Sequence, residues 1–401
     1  MKVAVLGYGT VGSGVVEIIN RNRAEITKRT GEEIEVKYVL DLRDFPGDAV
    51  EKVLVHDFAI VANDPEVETV VETMGGVKPA YEFVKECLLK GKNVCTSNKE
   101  LVAKHGAELI AIAKEKNINF FFEASVGGGI PIIRPLIQSI TADEILEIQG
   151  ILNGTTNYIL TKMEREGLGF DEVLKEAQAK GFAERNPDAD IKGYDAGRKL
   201  AILTSLAYGK QVDFEDIEME GIENITSKDF EYAKALGAKI KLLASSKKVN
   251  DKYYASVLPR MVNEDNQLFS VNYVLNSILV KGNVLGDVMF YGSGAGKLPT
   301  ASAVVSDVVD TLVNRGRNIK INWSSEKLEI SKPEGAVYNF FVRVAEDNKS
   351  KAKELFGEVR EVKAALVENE YAFITDAITE AEFKKKAEKI EIISRIRTEF
   401  K

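Results

Sequence analysis

The chain has 401 residues, of which 45% are hydrophobic and 29% charged, and its net charge is −8. This composition is typical of a soluble globular protein with two or three domains. The mild acidity and the absence of a basic face argue against a nucleic-acid partner. No run approaches the roughly 18 apolar residues of a membrane helix. The first residues enter a strand directly, without a signal pattern, so we expect no membrane partner.

The chain contains only two cysteines, Cys87 and Cys95. Two cysteines cannot form a disulfide framework, and we interpret both as small core residues. This usage suits a reducing compartment and predicts a cytoplasmic protein.

Short apolar strands alternate with helices in the first third of the chain. The predicted strands are 2–6, 34–40, 58–62, 70–73, 93–97 and 119–124, and the predicted helices are 15–26, 79–90 and 105–116. This alternation indicates βαβ units and a parallel, doubly wound sheet. We therefore expect an α/β fold whose residues 1–130 form a Rossmann-type dinucleotide-binding domain.

The pattern changes after Gly129. Longer amphipathic strands are predicted at 143–151 and 253–257, with helices between them at 157–166, 171–180 and 195–208. Residues 131–296 are thus predicted to form an α+β substrate-binding and dimerisation domain. A further helix at 299–315 is expected to pack back onto the first domain, which would then include about 297–320.

The last part of the chain follows a polar linker predicted at 324–336. The predicted strands are 337–344, 359–366, 371–376 and 389–394, and the predicted helices are 349–356 and 379–387. This is the βαββαβ order of a small ferredoxin-like domain, expected at 330–401.

A glycine-rich turn, Gly7-Tyr8-Gly9-Thr10-Val11-Gly12, follows the first strand and opens the first helix. The G-x-G-x-x-G pattern is weak alone, but this position is the one that dinucleotide-binding turns occupy. Gly7 makes the turn, Gly9 admits the pyrophosphate and Gly12 lets helix and strand pack closely. The positive end of the helix then binds the pyrophosphate. This predicts NAD or NADP as the cofactor.

Two residues after the second strand give opposite signals on the cofactor. Asp41 is placed to bind the ribose 2′-hydroxyl of NAD, although it lies farther from the turn than usual. Arg43 could instead neutralise the 2′-phosphate of NADP. A solvated turn is the alternative, so the preference stays open.

Three polar segments need an explanation. Residues 96–99 (TSNK) end a strand of the parallel sheet, where ligands bind, although an isolated lysine is more often solvated. Residues 123–131 (EASVGGGIP) combine one carboxylate with an irregular glycine backbone, which suits a cation or forms a plain hinge. In residues 181–199, Asp195 and Lys199 share one helix face, either as an acid–lysine catalytic pair or as an exposed ion pair.

Taken together, five runs resemble the homoserine dehydrogenase family in order and approximate spacing. They are CTSNKELVAKHG (95–106), EASVGGGIPII (123–133), ILNGTTNYILTKM (151–163), GFAERNPDADIKGYDAGRKLAIL (181–203) and GSGAGKLPTASAVVSD (292–307). The resemblance covers about residues 1–320. It implies NAD(P)-dependent interconversion of L-aspartate 4-semialdehyde and L-homoserine, in the biosynthesis of threonine, methionine and isoleucine.

The resemblance also implies roles for residues of the substrate site. Lys199 is similar to the family's proton donor, and Asp195 and Glu184 to its homoserine ligands, with Asp190 close by. Thr155 resembles a substrate-site hydroxyl. Glu184 and Asp190 would hold the ammonium group, and a lysine would stabilise the developing oxyanion and protonate it.

Other positions match the family's cofactor and cation sites. Lys99 resembles the lysine between cofactor and substrate, and it is the rival proton donor. Gly181 and Gly294 resemble backbone contacts to the cofactor, and Thr73 lies in a matching loop. The implied site for a monovalent cation, usually sodium, consists of Glu123 and the backbones of Val126, Gly128 and Ile130.

The family also implies a homodimer or higher oligomer that associates through the second-domain sheets. Many relatives carry an ACT-like regulatory domain at the C-terminus, with an Asp-x-Pro-Gly turn that binds an amino acid. The corresponding turn at 345–349 reads AEDNK and lacks Pro-Gly. The ferredoxin-like order is retained, so we expect an ACT-like domain that does not respond to threonine.

Three alternatives make different demands on the sequence. Aspartate semialdehyde dehydrogenase needs a nucleophilic cysteine at a helix start, and neither Cys87 nor Cys95 is so placed. A related amino-acid dehydrogenase would release ammonia. A non-catalytic cofactor-binding sensor would not retain the Asp195/Lys199 pair.

Overall fold

The computed structural model describes residues 1–400. The chain divides into two compact units. The first comprises Met1–Glu144, Ala201–Phe214 and Phe290–Leu328. The second comprises Ile145–Leu200, Glu215–Met289 and the chain from Glu329 onward. The tail thus belongs to the same compact unit as the central sheet, and the three predicted domain boundaries stay a prediction.

Helices and strands alternate throughout the chain. The first are β1 (Lys2–Leu6), α1 (Thr10–Arg21), α2 (Arg23–Thr30), β2 (Glu35–Leu40), β3 (Leu54–Val55), α3 (Phe58–Asn63), β4 (Val67–Glu72), α4 (Ala80–Leu89), β5 (Asn93–Thr96), α5 (Lys99–Glu115) and β6 (Phe120–Phe121). The central part contains β7 (Ile145–Ile151), α6 (Gly154–Glu166), α7 (Phe170–Ala179), α8 (Asp188–Ile191), α9 (Tyr194–Tyr208), β8 (Lys210–Gln211), β9 (Glu218–Met219), α10 (Ser227–Ala235), β10 (Lys239–Val249), β11 (Lys252–Val262), β12 (Leu275–Gly282), β13 (Gly286–Ser293), α11 (Lys297–Val313) and β14 (Ser324–Lys327). The tail contains β15 (Val337–Ala345), α12 (Lys349–Phe356), β16 (Arg360–Val362), β17 (Glu370–Ile374), β18 (Ile378–Thr379), α13 (Glu380–Ala387) and β19 (Ser394–Thr398).

The first unit is built on a six-stranded sheet in the order β3-β2-β1-β4-β5-β6. All its strand pairs are parallel. This is the strand order of a Rossmann-type fold, so the predicted fold class is confirmed. Its ligand crevice lies where the strand order reverses, between the carboxyl ends of β1 and β4.

The strand predicted at 58–62 is wrong, because these residues lie in helix α3. Asp57 caps the helix by accepting a hydrogen bond from the Ala59 amide at 2.8 Å. The Phe58 ring stacks on Phe83 of α4, with centroids 3.9 Å apart. A short apolar run satisfies a buried strand and a buried helix equally well, so the pattern could not separate them.

Helix α11 packs against α1 within the first unit, as predicted. A Cβ at Gly14 of α1 would lie only 2.9 Å from the Cβ of Ala301 of α11. The Thr69 and Thr311 hydroxyls are 2.9 Å apart. The predicted linker is partly wrong, because residues 324–327 form β14, which pairs with β8.

The second unit contains a mixed sheet of eleven strands, whose main path is β13-β12-β7-β10-β11-β19-β15-β17-β16. Its longest pairing is the β10–β11 hairpin, of which the sequence predicted only residues 253–257. Hydrophobic, polar and charged residues are mixed along these strands, which hid their length. Helix α10, at 227–235, was not predicted.

The tail has the predicted βαββαβ order, with strands β15, β16, β17 and β19 arranged as β19-β15-β17-β16. Strand β19 also pairs with β11, which makes the tail continuous with the central sheet. The last strand predicted at 389–394 is wrong. Its true register buries Arg397 to 2% exposure, paired with Glu380 and, at 2.8 Å, with Glu220. A charge whose partner lies 177 residues away gives no local signal of burial.

Candidate active site

The glycine turn has the geometry that its sequence predicts. Gly7 has a φ of 93°, which favours glycine, and its amide donates to the Leu40 carbonyl at 2.8 Å. A Cβ at Gly12 would lie 1.9 Å from the Gly7 carbonyl oxygen, so only glycine allows this packing. Nothing lies within 4 Å of a Cβ at Gly9, and α1 begins at Thr10 and continues through Val11. The turn therefore leaves its open side to a ligand.

Asp41 and Arg43 form an ion pair beside this turn. Arg43 Nε lies 2.9 Å from Asp41 Oδ1, and Asp41 Oδ2 accepts the Tyr8 amide hydrogen at 2.8 Å. The Arg43 guanidinium holds the pKa of the Asp41 carboxyl well below its usual range. Asp41 thus stays ionised and fastens the end of β2 to the glycine turn.

A cavity of about 500 Å³ opens at this end of the sheet. Its lining includes Gly7, Gly9, Asp41, Arg43, His56, Phe58, Thr73, Met74 and Pro79. The Thr73 hydroxyl hydrogen-bonds to the Leu6 and Gly7 carbonyls at 3.1 and 3.0 Å, which joins the end of β4 to the turn. The sequence did not single out His56, whose Nδ1 lies 2.7 Å from the Asp41 carbonyl oxygen.

Lys99 is the first residue of α5, at the carboxyl edge of the parallel sheet. Asn98 caps this helix by accepting the Leu101 amide hydrogen at 3.1 Å. A buried carboxylate that the sequence did not reveal, Glu72, accepts hydrogen bonds from the Thr96 hydroxyl at 2.6 Å and the Met74 amide at 2.7 Å. Burial raises the pKa of Glu72, and its hydrogen bonds lower it less. Glu72 therefore joins two neighbouring strand ends beside Lys99.

The glycine-rich loop after β6 is organised by the buried Glu123. Its carboxylate accepts the backbone amide hydrogens of Ile132, Ile133 and Arg134 at 2.6, 2.8 and 2.7 Å. Gly127 and Gly128 have φ values of 73° and 57°, so the backbone turns sharply between them. The Glu123 carboxylate is therefore committed to amide groups, which leaves the loop carbonyls as the oxygen donors for a ligand.

Gly294 approaches the same loop from the start of the segment that leads into α11. A Cβ at Gly128 would lie 2.5 Å from the Gly294 carbonyl carbon and oxygen. The Ser293 carbonyl oxygen accepts the Gly129 amide hydrogen at 3.1 Å. Two predicted motifs, one for the cation and one for the cofactor, thus meet within the first unit.

A buried acid–lysine cluster forms in the second unit. Lys199 Nζ lies 2.7 Å from Asp195 Oδ2 and 2.8 Å from the Leu152 carbonyl oxygen. Asn153 Nδ2 donates to Asp195 Oδ2 at 2.9 Å and to Asp190 Oδ1 at 2.7 Å. The predicted residues Asp190, Asp195 and Lys199 are thus brought together by Asn153, which the sequence analysis did not single out.

Asn153 has two structural tasks. Its Oδ1 caps α6 by accepting the Thr156 amide hydrogen at 2.9 Å, while its Nδ2 orients the two aspartates. An Asn three residues before Thr is an ordinary cap signal, and that signal was present in the sequence. Its second task depends on residues 37 and 42 positions away, which no local pattern reveals.

The remaining predicted residues of this unit lie around the cluster. The Thr155 hydroxyl donates to the Phe182 carbonyl at 2.6 Å, which ties α6 to the turn after α7. Gly181 makes that turn with a φ of 74°. Glu184 is exposed, and its backbone carbonyl accepts a hydrogen bond from Gln178 at 3.0 Å.

The two cysteines are buried and free. Burial raises the pKa of the Cys87 thiol to about 12, and it raises that of Cys95 well above the usual range. A thiol with a raised pKa is a poor nucleophile near neutral pH. This removes the reading as aspartate semialdehyde dehydrogenase.

A Rossmann-type unit with a glycine turn, joined in one chain to a unit with a buried acid–lysine cluster, defines a nicotinamide-dependent dehydrogenase. The family profile for the homoserine dehydrogenase NAD-binding domain matches residues 7–123, and the homoserine dehydrogenase profile matches residues 131–309. The chain is 42% identical to the enzyme of Bacillus subtilis over 318 residues, which covers 78% of this chain and 73% of that one. It is 45% identical to the Synechocystis enzyme over 319 residues, covering 77% and 73%.

Solved structures agree with these sequence relationships. A homoserine dehydrogenase from Thiobacillus denitrificans superposes with a TM-score of 0.90 at 34% identity, covering 100% of this chain and 98% of that one. A hyperthermophilic archaeal homoserine dehydrogenase in complex with NADPH gives a TM-score of 0.67 at 30% identity, covering 80% and 99%.

The chain therefore belongs to the homoserine dehydrogenase family. It is an NAD(P)-dependent oxidoreductase acting on CH–OH, which interconverts L-aspartate 4-semialdehyde and L-homoserine. Among residues 1–400, no helix combines the length and apolarity required to cross a membrane.

Proposed function

We propose that Lys199 and Asp195 form the proton-transfer unit of this dehydrogenase. The observation that carries the proposal is the fixed position of the Lys199 ammonium group, 2.7 Å from Asp195 and 2.8 Å from the Leu152 carbonyl. Asn153 orients Asp195 from the opposite side. A lysine held in this way has its proton directed toward one place, as general acid catalysis requires.

Substrate binding is assigned to the residues around this unit. Glu184 and Asp190 would hold the ammonium group of the amino acid, because carboxylates are its natural partners. Asp190 is already oriented by Asn153, at 2.7 Å. Thr155 positions the turn that precedes Glu184 through its bond to the Phe182 carbonyl.

The reduction follows from these placements. The bound dihydronicotinamide supplies the hydride. As negative charge develops on the substrate oxygen, Lys199 stabilises it and donates a proton from Nζ. Asp195 keeps the ammonium group oriented. Lys99, at the carboxyl edge of the parallel sheet, is assigned to the region between cofactor and substrate.

Cofactor binding is assigned to the glycine turn and the cavity beside it. Gly7, Gly9, Thr10, Val11 and Gly12 would hold the pyrophosphate at the start of α1. Asp41 and Arg43 would contact the adenosine ribose, and Thr73, Gly181 and Gly294 complete the assigned cofactor contacts. Because the two charges oppose each other, we expect both NAD and NADP to be accepted.

The loop after β6 is proposed to hold a monovalent cation, most simply Na⁺. Loop carbonyl oxygens suit this hard ion, and the sharp turns at Gly127 and Gly128 can bring several to one point. The backbones of Val126, Gly128 and Ile130 are the proposed ligands. Glu123 is retained in the site because it fixes this loop and contributes negative charge. The ion would stabilise the loop.

The tail is proposed to be an ACT-like domain that supports assembly. Its βαββαβ order and its continuity with the central sheet support this role. We also propose that the protein is a homodimer or higher homo-oligomer and that it acts in the cytoplasm.

Steady-state oxidation of L-homoserine, followed separately with NAD and with NADP, tests the function. We expect turnover with both cofactors and no ammonia in a coupled assay. Ammonia release would identify an amino-acid dehydrogenase instead. Absence of turnover with both cofactors would leave the sensor interpretation.

A further inference from the structure

Asn276 in β12 has an unusual side chain. It is 1% exposed, and within residues 1–400 neither its Nδ2 nor its Oδ1 has a hydrogen-bond partner. Buried side-chain amides are normally hydrogen-bonded, because an unpaired polar group loses its water without compensation. An amide that costs stability in this way is a candidate for contact with a ligand.

Its position relates this amide to the proposed active site. Ser277 pairs with Ile151 in the antiparallel ladder, so Asn276 stands opposite Leu152. Leu152 is the residue whose carbonyl accepts the Lys199 ammonium group. Asn276 Oδ1 lies 3.5 Å from the point that a Cβ on Gly154 would occupy. The amide therefore faces the first residue of α6.

The start of α6 is suited to an anion. The helix has 13 residues, and its N-terminal amide groups form a positive end. Asn153 caps the Thr156 amide, whereas no partner is recorded among the described residues for the amides of Gly154 and Thr155. A Cβ at Gly154 would lie 2.9 Å from the Val274 carbonyl oxygen, so glycine allows β12 to approach this helix end closely.

We propose that Asn276 is a specificity-determining residue that recognises the α-carboxylate of the amino-acid substrate at the start of α6. Its Nδ2 donates to the carboxylate together with the helix amides. The inference rests on the proposed function, in which Glu184 and Asp190 hold the ammonium group and Lys199 faces the reacting oxygen. The carboxylate is the one charged group of the substrate that those residues leave without a partner.

The test compares two fragments of homoserine. 4-Hydroxybutanoate keeps the carboxylate and lacks the ammonium group, and 3-amino-1-propanol has the reverse. Calorimetric titration of the full-length protein with each fragment needs no turnover. Asn276→Ala should weaken binding of 4-hydroxybutanoate by roughly 10- to 100-fold, the range for a hydrogen bond to a charged group. Binding of 3-amino-1-propanol should change by less than about twofold.

Two further variants control this comparison. Asn263→Ala removes an exposed asparagine of the same unit and should leave both affinities unchanged. Asn276→Asp keeps the shape of the side chain and adds a negative charge, so it should weaken 4-hydroxybutanoate further while sparing the amino alcohol. It also serves as the test if the alanine variant fails to fold.

The inference is overturned if Asn276→Ala weakens both fragments equally, which would indicate a structural role, or if it weakens neither. It is also overturned if the unmodified protein does not bind 4-hydroxybutanoate. These results are independent of the proposed function, which is judged by homoserine oxidation in the unmodified enzyme. In that assay, Asn276→Ala should raise the KM for homoserine and leave kcat within about threefold.

Discussion

The ammonium group of Lys199 lies 2.7 Å from a carboxylate oxygen of Asp195, one helical turn earlier in α9. The two side chains are 12% and 8% exposed, so solvent screens this pair much less than a surface pair. The same helix start offers a contrast in Lys192 and Asp188, which are also four residues apart and 2.8 Å from each other but remain partly exposed. Spacing alone therefore does not distinguish a catalytic pair from a surface pair.

The first prediction is that Lys199 and Asp195 act as one unit. Lys199→Ala should lower kcat by roughly 10²–10⁴, the usual contribution of a positioned acid or base. Asp195→Ala should lower kcat and raise the KM for homoserine. The double variant should be little worse than the poorer single variant. The KM for NADP should change little, because the pyrophosphate is held at the glycine turn.

Lys192→Ala is the matched control, and its kcat should stay within about twofold of the unmodified enzyme because surface pairs contribute little. Lys99→Ala provides the decisive comparison. If Lys99→Ala abolishes turnover while Lys199→Ala leaves it near normal, the roles of the two lysines are reversed.

The second prediction concerns cofactor preference. Asp41→Ala should improve kcat/KM for NADP relative to NAD, because it removes a charge that repels the 2′-phosphate. Arg43→Ala should have the reverse effect. Exposed Asp44, which neighbours this pair, provides the control Asp44→Ala. If neither Asp41→Ala nor Arg43→Ala shifts the ratio by more than about twofold, roughly 0.4 kcal/mol, these residues do not contact the ribose.

The third prediction is that Na⁺ binds the native protein. Raising Na⁺ at constant ionic strength, with choline as the replacing cation, should raise the Tm, because a ligand bound only by the folded state stabilises it by mass action. Gly128→Ala should abolish the response, since its added Cβ would meet the Gly294 backbone at 2.5 Å. Exposed Gly169 tolerates a Cβ, so Gly169→Ala is the control. A Tm that is independent of Na⁺ in the unmodified protein would contradict the proposed site.

The fourth prediction is that threonine does not regulate this enzyme. The turn after β15 forms a short 3₁₀ helix, Glu346–Asn348, and lacks the Pro-Gly of the amino-acid-binding turn. Homoserine oxidation should therefore be unchanged as threonine is added up to millimolar concentrations. Saturable inhibition in that range would contradict this prediction, and glycine at equal concentration controls for non-specific effects.

The fifth prediction concerns pH and the buried Lys241 of β10. Its Nζ donates to the Val271 carbonyl at 2.5 Å and to Asn157 Oδ1 at 3.3 Å, both neutral acceptors. Burial lowers the pKa of Lys241 to about 7. Between pH 7 and about 10.4 the unfolded chain then binds more protons at this position than the folded chain, so this residue makes stability rise with pH. Below pH 7 both states are protonated and its contribution is flat.

Urea unfolding at several pH values between 6 and 10 measures this effect. The free energy of unfolding of the unmodified protein should rise across the window relative to Lys241→Met, which has no titrating group at this position. Substitution of the exposed Lys252 by Met should give a parallel curve. Identical pH dependence in Lys241→Met and the unmodified protein would show that Lys241 has an ordinary pKa.

Local sequence determined the parts of this protein that depend on neighbouring residues. The glycine turn, the parallel α/β alternation and the i,i+4 pair of Asp195 and Lys199 each follow from a short pattern with a direct physical reason. The βαββαβ order of the tail was predictable for the same reason, although the register of its last strand was not.

Only the tertiary structure decided the contacts between distant segments. It showed that Asn153 joins Asp190 to Asp195, that the amides of residues 132–134 occupy the Glu123 carboxylate, and that Asn276 is buried opposite Leu152. It also showed that Arg397 becomes a buried strand residue because Glu220 and Glu380 neutralise it. Burial of a polar group depends on partners that folding brings from elsewhere in the chain, and a local pattern contains no information about those partners.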